Sequence, residues 1–191
     1  MKFVKFSIIQ YSQNLEIELS KLDRQSRLVF SLWFCRDLWK QFSGSLPAVI
    51  GADRTKTLAS LVEADFWGAG EPADACLEIA GMARNALAEI AQPEFAIDTG
   101  DEFANFGVAE LLGCIDHVLA VIATGSAEAA AQCAEHVINR VDYELAFFSD
   151  ERDPTSHPKF QQELDRQKRM LGRLADRNNP LTPDEIRQGH F

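Results

Sequence analysis

Two segments carry the residue types from which metal sites and redox pairs are built. GCIDHVLA, residues 113–120, and QCAEHVIN, residues 132–139, each hold a cysteine, an acid two positions later, then histidine and valine. The four candidate ligands are Cys114 and His117 in the first and Cys133 and His136 in the second. Thiolate sulfur and imidazole nitrogen suit zinc, and a facing pair of thiols suits disulfide chemistry. The spacing argues against both. Structural zinc sites usually set their cysteines two to four residues apart on turns, not one per helix. The Glu-x-x-His of helical di-iron sites is absent, because Cys stands where Glu would be.

Placing the residues on helices at about 100° per residue narrows the question. In the first segment Val108, Leu111, Leu112, Ile115, Val118, Leu119 and Ile122 make one apolar face. Cys114 falls at its edge and His117 nearly opposite it. In the second, Ala134, Val137, Ile138, Val141, Leu145 and Phe148 make the face, with Cys133 at the edge and His136 well outside. Both Cys–His pairs are thus displaced to the same rotational side. On two antiparallel helices they point either both into the shared seam or both away from it, depending on the handedness of the hairpin. If they converge, Cys114 lies level with residue 137 and Cys133 with residue 118, about four residues or ~6 Å off along the axis. The expectation is two edge-buried thiols and two surface imidazoles, with no metal bound.

Other candidates are weaker. GAG at 68–70 lacks the third glycine and the preceding strand of a dinucleotide fingerprint, and GxxxxGK[ST] does not occur. DTGDE at 98–102 lacks the alternating oxygen ligands of a calcium loop and reads as helix capping, Thr99 with Glu102. No ordered signature gathers serine, histidine and acid into a nucleophilic site. Trp33, Phe34 and Trp39 read as core or helix-interface aromatics rather than a ligand box. The basic amphipathic stretch ELDRQKRMLGRL reads as a helix on its own domain, with Asp165 and Arg169 an i,i+4 pair. No catalytic, cofactor-binding or metal residue is assigned.

The elements that position these residues are helical. Leu28, Leu32, Cys35, Trp39 and Phe42 recur at steps of three and four, a helix over 28–42 capped by Ser20 or Asp23. A shorter helix over NLEIELSKL precedes it. GSLPAVIGAD reads as a loop, with Asp53 an N-cap for a helix running to about Trp67. GAGEPAD, 68–74, is a break, and Asp74 to about Ile90 an alanine-rich helix. Helices over 103–123 and 127–148 are joined by TGS, short enough to demand antiparallel neighbours. SDERDPTSHP breaks the chain before a helix over 158–176, whose face carries Phe160, Leu164, Gln167, Leu171 and Leu174. Thr182, Pro183 and Glu185 start a last helical turn. Only residues 3–9 alternate like a strand, and one strand has no partner. The fold class is therefore all-α, a single-domain antiparallel helical bundle of six to eight helices over 1–177, with a polar tail over 178–191.

Composition bounds the function. The chain has 191 residues, 46% hydrophobic, and a net charge of −10. Residues 57–139 hold fourteen acids against one base, Arg84, while residues 1–56 hold nine bases against five acids. Such a surface is a poor partner for nucleic acid, which needs clustered Lys and Arg. No apolar run approaches the ~20 residues of a membrane helix, and the start lacks the apolar core and cleavage site of a signal peptide. Cys35, Cys76, Cys114 and Cys133, widely spaced in apolar segments, read as reduced buried thiols in the cytoplasm.

LSKLDRQSRLVFSLWFCRDLWKQF and AIDTGDEFANFGVAELLGCIDHVLAVI together resemble the YjaG-like family, bacterial proteins of unknown function. In the second segment, Ile-x-x-x-Asp-Glu-Phe leads into a Gly-Val helix. The resemblance covers roughly residues 14–175 and implies a compact all-α cytoplasmic protein. It brings no activity and no catalytic residues, and the family pattern carries no Cys and His at 114, 117, 133 and 136.

The expected function is protein–protein contact with a basic partner, without a cofactor. Two alternatives stand beside it: a helical metal-binding protein or enzyme using the 103–148 hairpin, and a homo-oligomer paired through the aromatic helix at 28–42.

Overall fold

The computed structural model describes residues 7–64, 74–90, 96–148, 154–179, 181–182 and 185. Among them every regular element is helical. α1 spans Ile8–Ser20, α2 Arg24–Phe42, α3 Leu46–Ile50, α4 Ala52–Glu63, α5 Asp74–Ile90, α6 Glu102–Thr124, α7 Ala127–Phe148 and α8 Pro158–Ala175. Short 3-10 turns cover Ser43–Ser45 and Pro154–Ser156. The all-α bundle expected from apolar periodicity is the fold observed.

α6 and α7 form the centre. α2 lies against both, α1 and α8 pack on α7, and α5 covers α6 and pairs with α4. The turn between α6 and α7 is tight because Gly125 adopts φ 69° and its N–H bonds Val121 O at 2.8 Å, a left-handed helix stop that only glycine makes without strain. Ser126 Oγ then accepts from Ala129 N and opens α7. α6 is long and apolar enough, by length and composition alone, to cross a membrane, against the expectation that no such run exists. Its buried residues, among them Val108, Leu111, Ile115, Val118 and Ile122, form the central core beside α2 and α7.

α2 differs from the expected single stripe. Leu28 through Cys35 are all buried, Phe30, Leu32, Phe34 and Cys35 completely, because α2 is covered on several sides. Phe34 stacks edge-on with both Phe30 and Trp33, so Trp33 and Phe34 are core as expected. Trp39 is only half-buried. Buried Gln167 is fully employed: it accepts from Tyr11 Oη at 3.1 Å and donates to Ala134 O at 3.2 Å and Glu163 Oε1 at 2.9 Å. It thereby ties α1, α7 and α8 together.

Basic residues of the first third serve helix ends. Arg24 donates to Ile122 O at the end of α6, and Arg36 to Val62 O and Ala64 O at the end of α4. Arg54 pairs with Glu89 of α5. The charge asymmetry along the chain is thus partly neutralised in space, basic helices beside acidic ones.

Several local readings shift. GSLPAVIGAD is not a loop but a 3-10 turn and α3, and Gly51, at φ 85°, ends α3 and begins α4, leaving Asp53 in the first turn. Asp23 caps α2 by accepting from Ser26 N at 2.7 Å, while Ser20 Oγ bonds Ile17 O. The Thr99–Glu102 capping box does not form. Asp101 directly precedes the helix, so its carboxylate takes Ala104 N, and Thr99 Oγ1 donates to Asn105 Oδ1. Thr182 and Glu185 do exchange reciprocal bonds. Ile8 and Ile9, the end of the alternating stretch 3–9, open α1, where Ser7 caps Gln10 N. GAG at 68–70, the run of α4 beyond residue 64 and the SDERD break lie outside the described residues.

Candidate functional site

The hairpin has the converging hand. Cys114 and Cys133 are both fully buried in the seam, and each thiol points at the other's carbonyl: Cys114 Sγ to Cys133 O at 3.8 Å, Cys133 Sγ to Cys114 O at 3.7 Å. The antiparallel crossing makes the two halves nearly reciprocal. Burial, then hydrogen bonding with Cys133 and Cys35, pushes the Cys114 thiol well above its ordinary value. A thiol held protonated in an apolar seam is a poor nucleophile and a poor metal ligand. All three are free cysteines, and Cys76 has no described side chain.

The histidines also meet, which corrects their expected place as outward surface imidazoles. His117 Nδ1 lies 2.9 Å from His136 Nε2, and His136 Nδ1 lies 2.7 Å from Glu110 Oε2. Both partners of that last contact keep less than a fifth of their side chains exposed, 17% for His136 and 14% for Glu110. The hand of the hairpin decides this, since displacement to the same side leads both imidazoles into the seam's outer edge. Gly113 makes room: a Cβ there would sit 2.6 Å from His136 Cε1.

The chain of bonds orders the protons. A carboxylate can only accept, so His136 Nδ1 carries the proton it donates to Glu110. In the tautomer whose Nε2 is unprotonated, His136 accepts there from His117 Nδ1–H. His117 Nε2 is left with its lone pair, the free end of a Glu110–His136–His117 relay. Burial first, then the neighbouring His136, lowers the His117 pKa below 6.5, with Asp116, Glu135 and Glu128 opposing. The half-buried imidazole is therefore neutral at pH 7. Glu135, the acid of the second repeat, does not join the relay; it accepts from Ser12 Oγ of α1 at 2.6 Å. Among the described residues no three His, Cys, Asp or Glu side chains gather as a metal site.

Two features escaped the sequence reading. At the open end of the hairpin, rings step outward from the core. Buried Phe42 meets Phe103 at 5.8 Å, Phe106 stacks on Tyr143 at 4.0 Å, and Phe147 packs edge-on against Phe148 at 4.9 Å. Phe147 is 47% and Phe148 68% exposed, so Phe148 does not belong to the core face assigned to it: α7 has run past the bundle there. Tyr143 Oη donates to Glu102 Oε1 at 2.9 Å, which sets an acid at the patch, with Asp101 beside it. Phe103 with Phe106 and Tyr143 with Phe147, aromatics at i,i+3 and i,i+4 outside the apolar face, are the signal that would have found it.

The second is a cleft of about 470 Å³ between α2, α7 and α8, lined by Asp37, Arg140, Lys159, Glu163, Arg166 and Arg169 among others. Here the expected Asp165–Arg169 pair is not made. Asp165 lies 3.7 Å from Lys168 instead, and Arg169 lines the cleft.

No family model, curated protein or solved structure matches the chain.

Proposed function

We propose that the protein works by binding another protein, whose docking segment combines apolar side chains with Lys or Arg. The observation that carries this reading is the aromatic patch at the open end of the hairpin, where Phe147 and Phe148 are exposed beside half-buried Phe103, Phe106 and Tyr143, with Glu102 and Asp101 at its margin. Aromatic rings with an acidic margin combine the contact area and the polar rim typical of interfaces. The net charge of −10 favours association with a basic surface. Free thiols fit a reducing compartment, and we place the protein in the cytoplasm, as the YjaG-like resemblance implies.

The test is affinity capture from lysate at low and moderate salt with the wild type and a Phe147→Ser/Phe148→Ser variant. The expected result is a basic protein retained at low salt, weakened at moderate salt and lost with the variant. Equal retention by wild type and variant, or no retained protein at either salt, removes the reading.

The relay supports a second reading, a metal-binding protein or enzyme that uses the hairpin, because His117 Nε2 is a neutral base oriented through His136 by Glu110. Elemental analysis of protein purified without chelator or affinity metal tests it: stoichiometric zinc or iron supports the reading, and substoichiometric metal removes its metal-binding form.

A further inference from the structure

The cleft between α2, α7 and α8 is built from more positive than negative charge in an acidic protein. Its lining holds four cations, Arg140, Lys159, Arg166 and Arg169, against two carboxylates, Asp37 and Glu163. Both carboxylates are spent on one of the four. Arg166 Nη2 lies 3.0 Å from Asp37 Oδ2, and Arg166 Nε lies 2.7 Å from Glu163 Oε2. Its guanidinium also lies 4.5 Å over the Trp33 ring, so it is fixed on both sides and forms the floor.

The other three cations are served sparingly. Arg140 and Lys159 share a single carboxylate, Glu144, whose pKa is lowered by those two bonds despite the opposing effect of burial. Arg140 is only 8% exposed at the side chain, and its buried Nε–H makes no hydrogen bond. Arg169 makes no ion pair among the described residues. A guanidinium that is nearly buried and only partly satisfied is an uncommon arrangement, because buried charge is ordinarily met with a full set of acceptors. Here that residue lines an open space of ligand size.

We propose that this cleft binds a small dianion, a phosphate monoester or a dicarboxylate, with Arg140, Lys159 and Arg169 as its direct contacts and Arg166 as the fixed floor. The shared chemistry is a pair of anionic oxygens presented to planar guanidinium forks, which bind such groups in two parallel N–H···O bonds. The site is separate from the aromatic patch and from the relay, so it stands whether or not the protein docks a partner.

The test is a two-dimensional NMR titration of the full chain that follows arginine Nε–H resonances. Inorganic phosphate or succinate is added while sodium chloride keeps the ionic strength constant. Saturable shifts at Arg140 and Arg169 are expected. Arg169→Gln, at an exposed position that leaves the fold intact, and Lys159→Gln are each expected to weaken binding about tenfold, the loss of one charge-assisted contact. Tighter saturation by phosphate assigns the site to phosphate monoesters, and tighter saturation by succinate to dicarboxylates. Shifts that stay linear for both probes, or titrations of both variants that match the wild type, overturn the proposal.

Discussion

α7 carries two clusters of polar side chains a single turn apart, and they resolve in opposite ways. Towards α6, His136 finds an acceptor in Glu110 and a donor in His117, and the buried thiols of Cys114 and Cys133 find each other's carbonyls. Towards α8, Arg140 shares Glu144 with Lys159 and keeps an unmet Nε–H. The seam is closed because α6 and α7 supply complementary groups at matching heights. The cleft is open because α7 and α8 bring mostly cations, and the carboxylates Asp37 and Glu163 go to Arg166. Satisfied buried polar groups rigidify a fold, whereas unsatisfied ones beside a cavity mark a place for something else.

The sharpest way to break the comparison is through glycines. Gly113→Ala places a methyl 2.6 Å from a His136 ring that two hydrogen bonds hold in position, so the ring cannot simply swing aside. A loss of about 1–3 kcal/mol is expected in urea unfolding. Gly172→Ala on α8 meets nothing within 4 Å and is expected to move the other way, a gain of about 0.5–1 kcal/mol from helix propensity. If both variants shift stability in the same direction, the closed seam is not the constraint described.

Glu110→Gln keeps an acceptor for His136 Nδ1 but removes its charge, with an expected cost of about 1 kcal/mol.

A pH series separates the relay from ordinary acid unfolding. The folded pKa of His117 lies below its ordinary value of 6.5. Above 6.5 both folded and unfolded chains carry the neutral ring, and this contribution to stability is fully present. As pH falls below 6.5 the unfolded chain takes up the proton first, so stability is lost down to the folded pKa. The unfolding midpoint of the wild type should therefore fall more steeply below pH 6.5 than that of His117→Gln. Parallel curves would show that His117 is not held neutral by the seam.

The smallest effect belongs to the cleft. Arg169→Gln should leave stability within about 0.5 kcal/mol, since the residue is exposed and makes no described ion pair. A larger loss would make Arg169 part of the fold, as the seam residues are.

Much of the frame was legible in the sequence. The apolar faces of α6 and α7, the short connection through Gly125 and the antiparallel pairing follow from periodicity and from a loop too short for anything else. Boundaries were less legible where caps compete. Asp101, next to the helix start, displaced Thr99, and Gly51 served two helices at once. Phe148 was misplaced because periodicity does not report where a helix outruns its bundle. The relay lay half-hidden. Its two histidines were visible, but Glu110 stood apart from both repeats, four residues before Cys114, and nothing local tied it to His136.

The sequence by itself determined the class of fold, the hairpin and the equal rotational displacement of Cys114–His117 and Cys133–His136. Only the tertiary structure decided that the displacement points inward. Packing α2 across both helices, with α1 on α7 and α5 on α6, selects one hand of the hairpin, and handedness is a property of three or more elements that no helical period contains. The same packing brought Arg140, Lys159, Arg166 and Arg169 around one cleft from two helices, because which charges share a space depends on which helix faces lie together.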